Sequence, residues 1–409
     1  LLERIERLFA SVRNVARGAR VELYHRASNR LRVRFDASEG REITETGTDE
    51  GLAARVVGPG DRVGFAAVSG CDVERVRWAV LQAGRSSGEG RVDVQPWADH
   101  TGEPLTDLES STTPPDASEL TTRLRRFLNP STERWSSSPP AWSGSWIEWG
   151  KTLETWVADG GMRATRSRSR VWAMTTTRLA PAHGGGEHPL VAVGRHLDDM
   201  TGFGWNVPAV EGLAVPIDDA VTDRAVLLEP TAAAVLVRAL TSELCGPGPP
   251  TRHPVGPGLR VDDDPAHPRG LSGGRFDDAG FPALRMPLAD GHRFLGSPRG
   301  PGHLRRGSFR DRPAPGLTTL VVGTGEATVP AEAVRVPDLR IHVVTPGSWA
   351  VEPIAAWIAD GGQARPVARG VVGASAADLA RRCQGAFDMA RLSSNNTLTP
   401  ALLLDGLPS

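Results

Sequence analysis

The chain has 409 residues and a formal net charge of −1, from 47 basic and 48 acidic side chains. Such a balance leaves no electrostatic footprint for nucleic acid or an anionic membrane surface, which argues against both as partners. The length suffices for two domains or for one elaborate α/β domain with a large core.

Three cysteines, Cys71, Cys245 and Cys383, are too few and too scattered for a disulfide framework or a C-x-x-C site, so a reducing, cytoplasmic setting is expected. Leu1–Phe9 reads as an amphipathic helix interrupted by charges, unlike the unbroken apolar core of a signal peptide. No later segment offers the uncharged apolar run that a membrane span requires. Lys151 is the sole lysine, and with the many Ala, Gly and Pro residues the excess of arginine reads as a coding bias.

Val21–Tyr24 and Leu31–Phe35 alternate with period two, so each predicts a strand with one buried face. Gly51–Val57 and Arg62–Val68 follow, parted by the turn Gly58–Gly60. Between Asp72 and Ala83, Val73, Val76, Val80 and Ala83 recur at helical spacing behind an acidic start. This predicts an α/β layer domain over residues 1–130, of which Ser86 onward to Pro140 reads as a linker or excursion with a short helix at Ala117–Leu128. Residues 131–220 form a connecting region carrying a tryptophan cluster, Trp135, Trp142, Trp146, Trp149, Trp156 and Trp172. The rings fill either a core or interface patch, or the floor of a ligand site. Leu153–Met174 and Pro189–Val193 are strand-like. His183, His188 and His196 straddle a glycine loop at a spacing that matches no ligand template, and with His253 and His267 they read as loop histidines.

In the C-terminal region, 221–409, Pro230 and Thr231 fit the start of a helix that runs to Leu244, since proline is tolerated in the first turn. That helix is apolar almost all round and is therefore buried. Asp262, Asp263 and Asp264 point to alternating faces of an extended segment, which is not a hard-cation site. Asp277 and Asp278 are suited to satisfying loop amides and fixing a turn at Gly280. Cys383, within a helix at Ala376–Met389, reads as a packed thiol.

Gly274–Pro282, reading GRFDDAGFP, and Gly302–Gly316, reading GHLRRGSFRDRPAPG, resemble the C-terminal half of the TldD/PmbA (TldD/TldE) family, as do Val261–Pro265, Ala225–Leu228 as the strand before the helix, and Trp357–Gly362 with Arg365–Gly370 as the hairpin before the closing helix. The resemblance implies an α/β (α+β) two-domain fold, with an N-terminal α/β layer domain and a C-terminal β-rich domain enclosing a buried helix. Active members are zinc peptidases with H-E-x-x-x-H on the helix that corresponds to Pro230–Leu244 and a cysteine ligand in a turn that corresponds to Arg391–Asn396. Neither is present: Val235, Val237, Arg238 and Thr241 cannot replace two imidazoles, and the turn has no cysteine.

The resemblance therefore implies a TldE/PmbA-like chain without catalytic residues or metal of its own, paired as a heterodimer with a zinc-bearing TldD-like subunit. It would complete a chamber and help hold an unstructured peptide or peptide-like substrate over the partner's zinc, possible settings including secondary-metabolite maturation. Candidate substrate contacts are Arg305, Arg306, Ser308 and Arg310, because arginine captures carboxylates bidentately; the other reading of these arginines is ion pairing with Asp311 or Asp277–Asp278. Two alternatives remain open, a metal-independent enzyme and a ligand-binding or scaffold protein using the tryptophans.

Overall fold

The computed structural model describes the chain except residues 37–40, 87–96, 98–101, 109–112, 134–143, 179–186, 201–213, 223, 245–252, 299–300, 361–362, 388–389, 394 and 408–409. Helix α1 (Leu2–Val12) precedes three antiparallel strands, β1 (Arg20–Asp36), β2 (Arg41–Gly58) and β3 (Arg62–Ser69), and then helix α2 (Val73–Ser86). After β4 (Leu105–Leu108) and α3 (Ala117–Glu133) come β5 (Ser145–Ala158), β6 (Arg163–Arg178) and β7 (Glu187–Gly194). These seven strands form one sheet in the order β3-β2-β1-β5-β6-β4, with β7 also on β6.

The two short strands expected at Val21–Tyr24 and Leu31–Phe35 are one continuous strand. β1 is flanked along nearly its whole length by β2 on one side and β5 on the other, so the polar stretch between the two apolar runs still has backbone partners. Likewise Gly51–Val57 is the buried end of a strand that begins at Arg41. The stretch 86–140 is not only a linker: Trp97 is buried, β4 pairs in parallel with β6, and α3 packs Leu120 and Leu124 on the sheet. Strands within 131–220 belong to the same sheet as β1–β3.

One face of the sheet is apolar. Val21, Leu23, Leu52 and Ala54 meet Ile5, Leu8 and Val12 of α1 and Val76, Ala79, Val80 and Ala83 of α2. Further along the same face, Val33, Ile147, Trp149 and Val171 meet α3. Asp72 starts α2 by accepting from the Arg75 amide, and Asp116 starts α3 by accepting from that of Glu119.

The C-terminal half contains α4 (Ile217–Val221), β8 (Val226–Leu228), α5 (Pro230–Leu244), β9 (Arg260–Asp263) and α6 (Ala376–Arg382) among short strands in sheets of five, six, three and two. α5 buries Ala232, Ala233, Leu236, Val237 and Leu240 in its core, as its apolar circumference requires. The last helix ends earlier than expected, at Arg382. Gly256 and Gly258 donate to Ala380 O and Cys383 O, and a side chain on either glycine would strike the Cys383–Gly385 backbone. These loop amides take the carbonyls a further helical turn would use. Cys383 therefore opens a strand paired with Leu402–Leu404, and its buried thiol donates to Leu379 O.

Candidate functional site

The opposite face of the first sheet is charged and covered by the C-terminal half. Because side chains alternate, Glu22, Tyr24 and Arg26 of β1, Thr152, Glu154 and Trp156 of β5, and Arg166, Arg168 and Arg170 of β6 share that face. Trp156 lies against Tyr24 and meets Phe276 edge on, donating its Nε1–H to Asp278 O at 3.2 Å. Phe309 lies directly over Gly51, where any side chain would overlap its ring. These rings dock the two halves.

Beside them is a cleft of about 460 Å³, whose walls include six arginines (Arg26, Arg166, Arg168, Arg170, Arg305 and Arg306) and two carboxylates, Glu154 and Asp278. Ser169, Ser272, Thr152 and Thr318 add hydroxyl-bearing residues. Arg166 is fully matched: Nε donates to Glu154 at 2.7 Å and Nη2 to Asp278 at 2.6 Å. Burial opposes its charge, but Glu154 and Asp278 outweigh that and raise its pKa above the ordinary arginine value. Burial would likewise raise Glu154, yet Arg166 and Arg168 outweigh it and hold the carboxyl low.

Arg168 is different. Its Nη2 is shut from solvent without a hydrogen-bond partner, and burial, with Arg166 alongside, lowers its pKa. Arg305 donates only to the carbonyls of Leu304 and Gly302; its Nε is buried without a partner, and burial lowers it too. A buried guanidinium short of acceptors has the chemistry to take a carboxylate or another oxyanion, which would supply both charge and acceptors.

Of the four residues proposed from sequence, Arg305 and Arg306 line this cleft. The Arg306 side chain is 1 % exposed and is tied to Glu22 at 2.6 Å, with its guanidinium 4.5 Å from the centre of the Tyr24 ring. Glu22 also pairs with Arg55. The ion-pair partner of Arg306 is thus Glu22, and Asp311 offers it only a backbone carbonyl at 3.3 Å. Ser308 accepts from the Arg310 amide and donates to Asp311; the exposed Arg310 lies over Phe309 and donates to Ser69 Oγ at 3.4 Å. Neither Ser308 nor Arg310 is in the cleft wall. Arg26, Arg166, Arg168 and Arg170 were not singled out from sequence, though the alternating run Arg166-Ser-Arg-Ser-Arg170 is itself a strand signal that puts three cations on one face.

Asp277 does what its loop position suggested. It accepts from the amides of Ala279, Phe281, Gly302 and Leu304, and Gly280 takes a positive φ of 83°. Asp278 instead joins the halves, accepting from Arg166 and from the Arg306 amide at 2.5 Å. Asp262, Asp263 and Asp264 go separate ways, to Arg285, Thr318 and the Ala266 amide.

The tryptophans are not one cluster: Trp146 and Trp172 pack together at 5.8 Å with Arg32 and Arg170 over them, Trp156 is at the docking surface, and Trp149 is on the opposite face. Trp135 and Trp142 lie outside the described residues, as do His183 and the side chain of His188. His196 and His267 serve local loop hydrogen bonds.

The residues around α5 do not fit a zinc ion. Its inner face is Ala, Leu and Val, and the Thr241 hydroxyl is spent on Val237 O at 2.8 Å. The turn beside it is fastened by amides, Asn395 donating to Ala234 O at 2.9 Å and Asn396 to Ser272 Oγ and Thr318 O.

The architecture is α+β: a long, mostly antiparallel sheet with helices on one face and a β-rich half docked through charged groups on the other. This is the fold of TldE from Thermococcus kodakarensis, with a TM-score of 0.76 at 15% identity over 99% of both chains. It is shared with two structures described as putative modulators of DNA gyrase. That from Thermotoga maritima gives a TM-score of 0.70 at 14% identity over 99% of both chains. That from Bacteroides thetaiotaomicron gives 0.67 at 12% over 98% of both. No protein-family model and no curated protein matches the sequence. Among the described residues, no helix is long and apolar enough to cross a membrane.

Proposed function

We propose that this chain is a TldE-type member of the TldD/TldE family, the subunit of a heterodimeric peptidase that binds substrate without carrying the hydrolytic zinc. The observation behind this is the end-to-end likeness to TldE together with an α5 that offers Val235, Val237, Arg238 and Thr241 where imidazoles would be needed. A shared fold does not by itself fix function, and the cleft offers a physical basis for it. In this reading the arginine cleft holds a carboxylate of an extended peptide or peptide-like substrate: Arg168 and Arg305 provide buried, under-satisfied donors, and Arg26 and Arg170 add charge. The zinc and the water it activates belong to the partner.

Co-expression with a TldD-like chain carrying H-E-x-x-x-H tests it. The expected result is a stable complex that cleaves unstructured peptides, with no hydrolysis by either chain alone. Arg168→Gln should leave assembly and the partner's zinc intact while kcat/KM falls by roughly one to two decades, the loss of a charge-assisted hydrogen bond. Hydrolysis by this chain alone, or no association with such a partner, overturns the reading.

A further inference from the structure

On the helix-covered face of the first sheet, away from the cleft, three metal-ligating side chains converge. His25 follows Tyr24 on β1 and therefore points to the other side; it is fully buried. Glu50 stands on the neighbouring strand β2. Cys71 is brought back to the same point because Gly70, with a φ of 78°, turns the chain after β3 while its amide donates to Glu50 O at 2.8 Å. His25 Nε2 lies 2.9 Å from Glu50 Oε1, and Cys71 Sγ lies 3.0 Å from the same oxygen. The three ligand atoms all fall within 4.8 Å of one another, the one such grouping among the described residues.

We infer that His25, Glu50 and Cys71 form a structural site for a divalent cation of the zinc type, clamping β1, β2 and the β3–α2 junction. Nitrogen, oxygen and sulfur donors are the set zinc accepts, at about 2.0 Å for nitrogen and oxygen and about 2.3 Å for sulfur. Ligand atoms around such an ion stand roughly 3 to 4 Å apart, so the present spacing needs to open by less than about 1 Å. The proton balance is simple. The thiol proton leaves to solvent, and the imidazole proton passes from Nε2 to Nδ1, which is buried and has no partner as the group stands. Thiolate and carboxylate together neutralise the two positive charges, so burying the ion adds no net charge to the interior. Arg4, 3.6 Å from Glu50 and half exposed, is the competing cation. A water completes the fourth position.

The full chain, stripped with chelator and titrated with Co²⁺, tests this. The expected result is one equivalent bound with a near-ultraviolet thiolate-to-cobalt charge-transfer band, displaced by Zn²⁺. Cys71→Ser and His25→Gln should each lower affinity at least about 10²-fold. Should Cys71→Ser fail to fold, the double variant Cys245→Ser/Cys383→Ser leaves Cys71 as the sole thiol and should keep the band. Absence of the band with cobalt in excess, or its survival in Cys71→Ser, overturns the proposal. Because the site is on the other face of the sheet, either result leaves the reading of the cleft untouched.

Discussion

Two neighbouring arginines of the cleft wall, Arg166 and Arg168, have opposite surroundings. Arg166 and Arg168 leave β6 one pleat apart on the same face. The first sits between Glu154 and Asp278, and Tyr24 donates to the same Glu154 at 2.6 Å. The second has a buried nitrogen and nothing to give it to. Arg306 and Arg310 repeat the contrast on the facing strip, one locked to Glu22 and the other exposed. The same residue type thus ranges from matched to unmatched according to which carboxylates the tertiary fold brings near. A matched buried pair is costly to break; an unmatched buried cation costs stability until something binds.

The largest test of this contrast is Arg166→Met. It leaves Glu154 and Asp278 buried without their cation, and stability should fall by about 3 to 5 kcal/mol, measured by urea unfolding. A loss below about 1 kcal/mol would mean that the pair adds little and that the rings alone hold the halves together. Gly51→Val comes next. Its side chain would overlap the Phe309 ring at the docking surface, and overpacking of this kind costs about 1 to 3 kcal/mol, to be read from Tm.

Arg168→Gln should do far less, changing stability by no more than about 1 kcal/mol, since the buried cation it removes has an unmet donor while Arg166 still holds Glu154. If it destabilises as Arg166→Met does, the two arginines do not differ. The Glu154 carboxylate, which both arginines face, also has a pH signature. Arg166 and Arg168 hold Glu154 below its ordinary pKa, so its contribution is present above the unfolded value near 4.5 and is lost as pH falls through the lower folded value. Glu154→Gln should flatten stability below about pH 4.5, and an unchanged acid limb counts against the pairing. Arg310→Gln, at the exposed extreme, should change stability by no more than about 0.5 kcal/mol.

Much of the architecture could be read residue by residue. The alternation in Val21–Tyr24 and Arg62–Val68, the helical spacing in α2 and the all-round apolar α5 depend on neighbours a few positions away, and each element is where those patterns put it. The role of Asp277 in a turn at Gly280 was legible for the same reason. Lengths were less so: β1 runs through a polar middle because two flanking strands satisfy its backbone, and α6 stops early because a distant glycine loop occupies its carbonyls. The site was legible only in part. Arg305 and Arg306 were found through a motif, whereas the alternating arginines of β6 belong to no motif and look like ordinary solvated charge until the C-terminal half covers them.

Local chemistry by itself determined which segments are strands and helices, that α5 is buried, and that its face offers no imidazole to a metal. Only the tertiary structure decided that Arg306 meets Glu22 across 284 positions, that Arg166 is paired while Arg168 is not, and that His25, Glu50 and Cys71 share one point. The physical reason is range. Backbone conformation responds to a few adjacent side chains, but the state of a buried charge depends on which opposite charge lies within a few ångströms, and that is set by sheet register and docking between parts of the chain far apart in sequence.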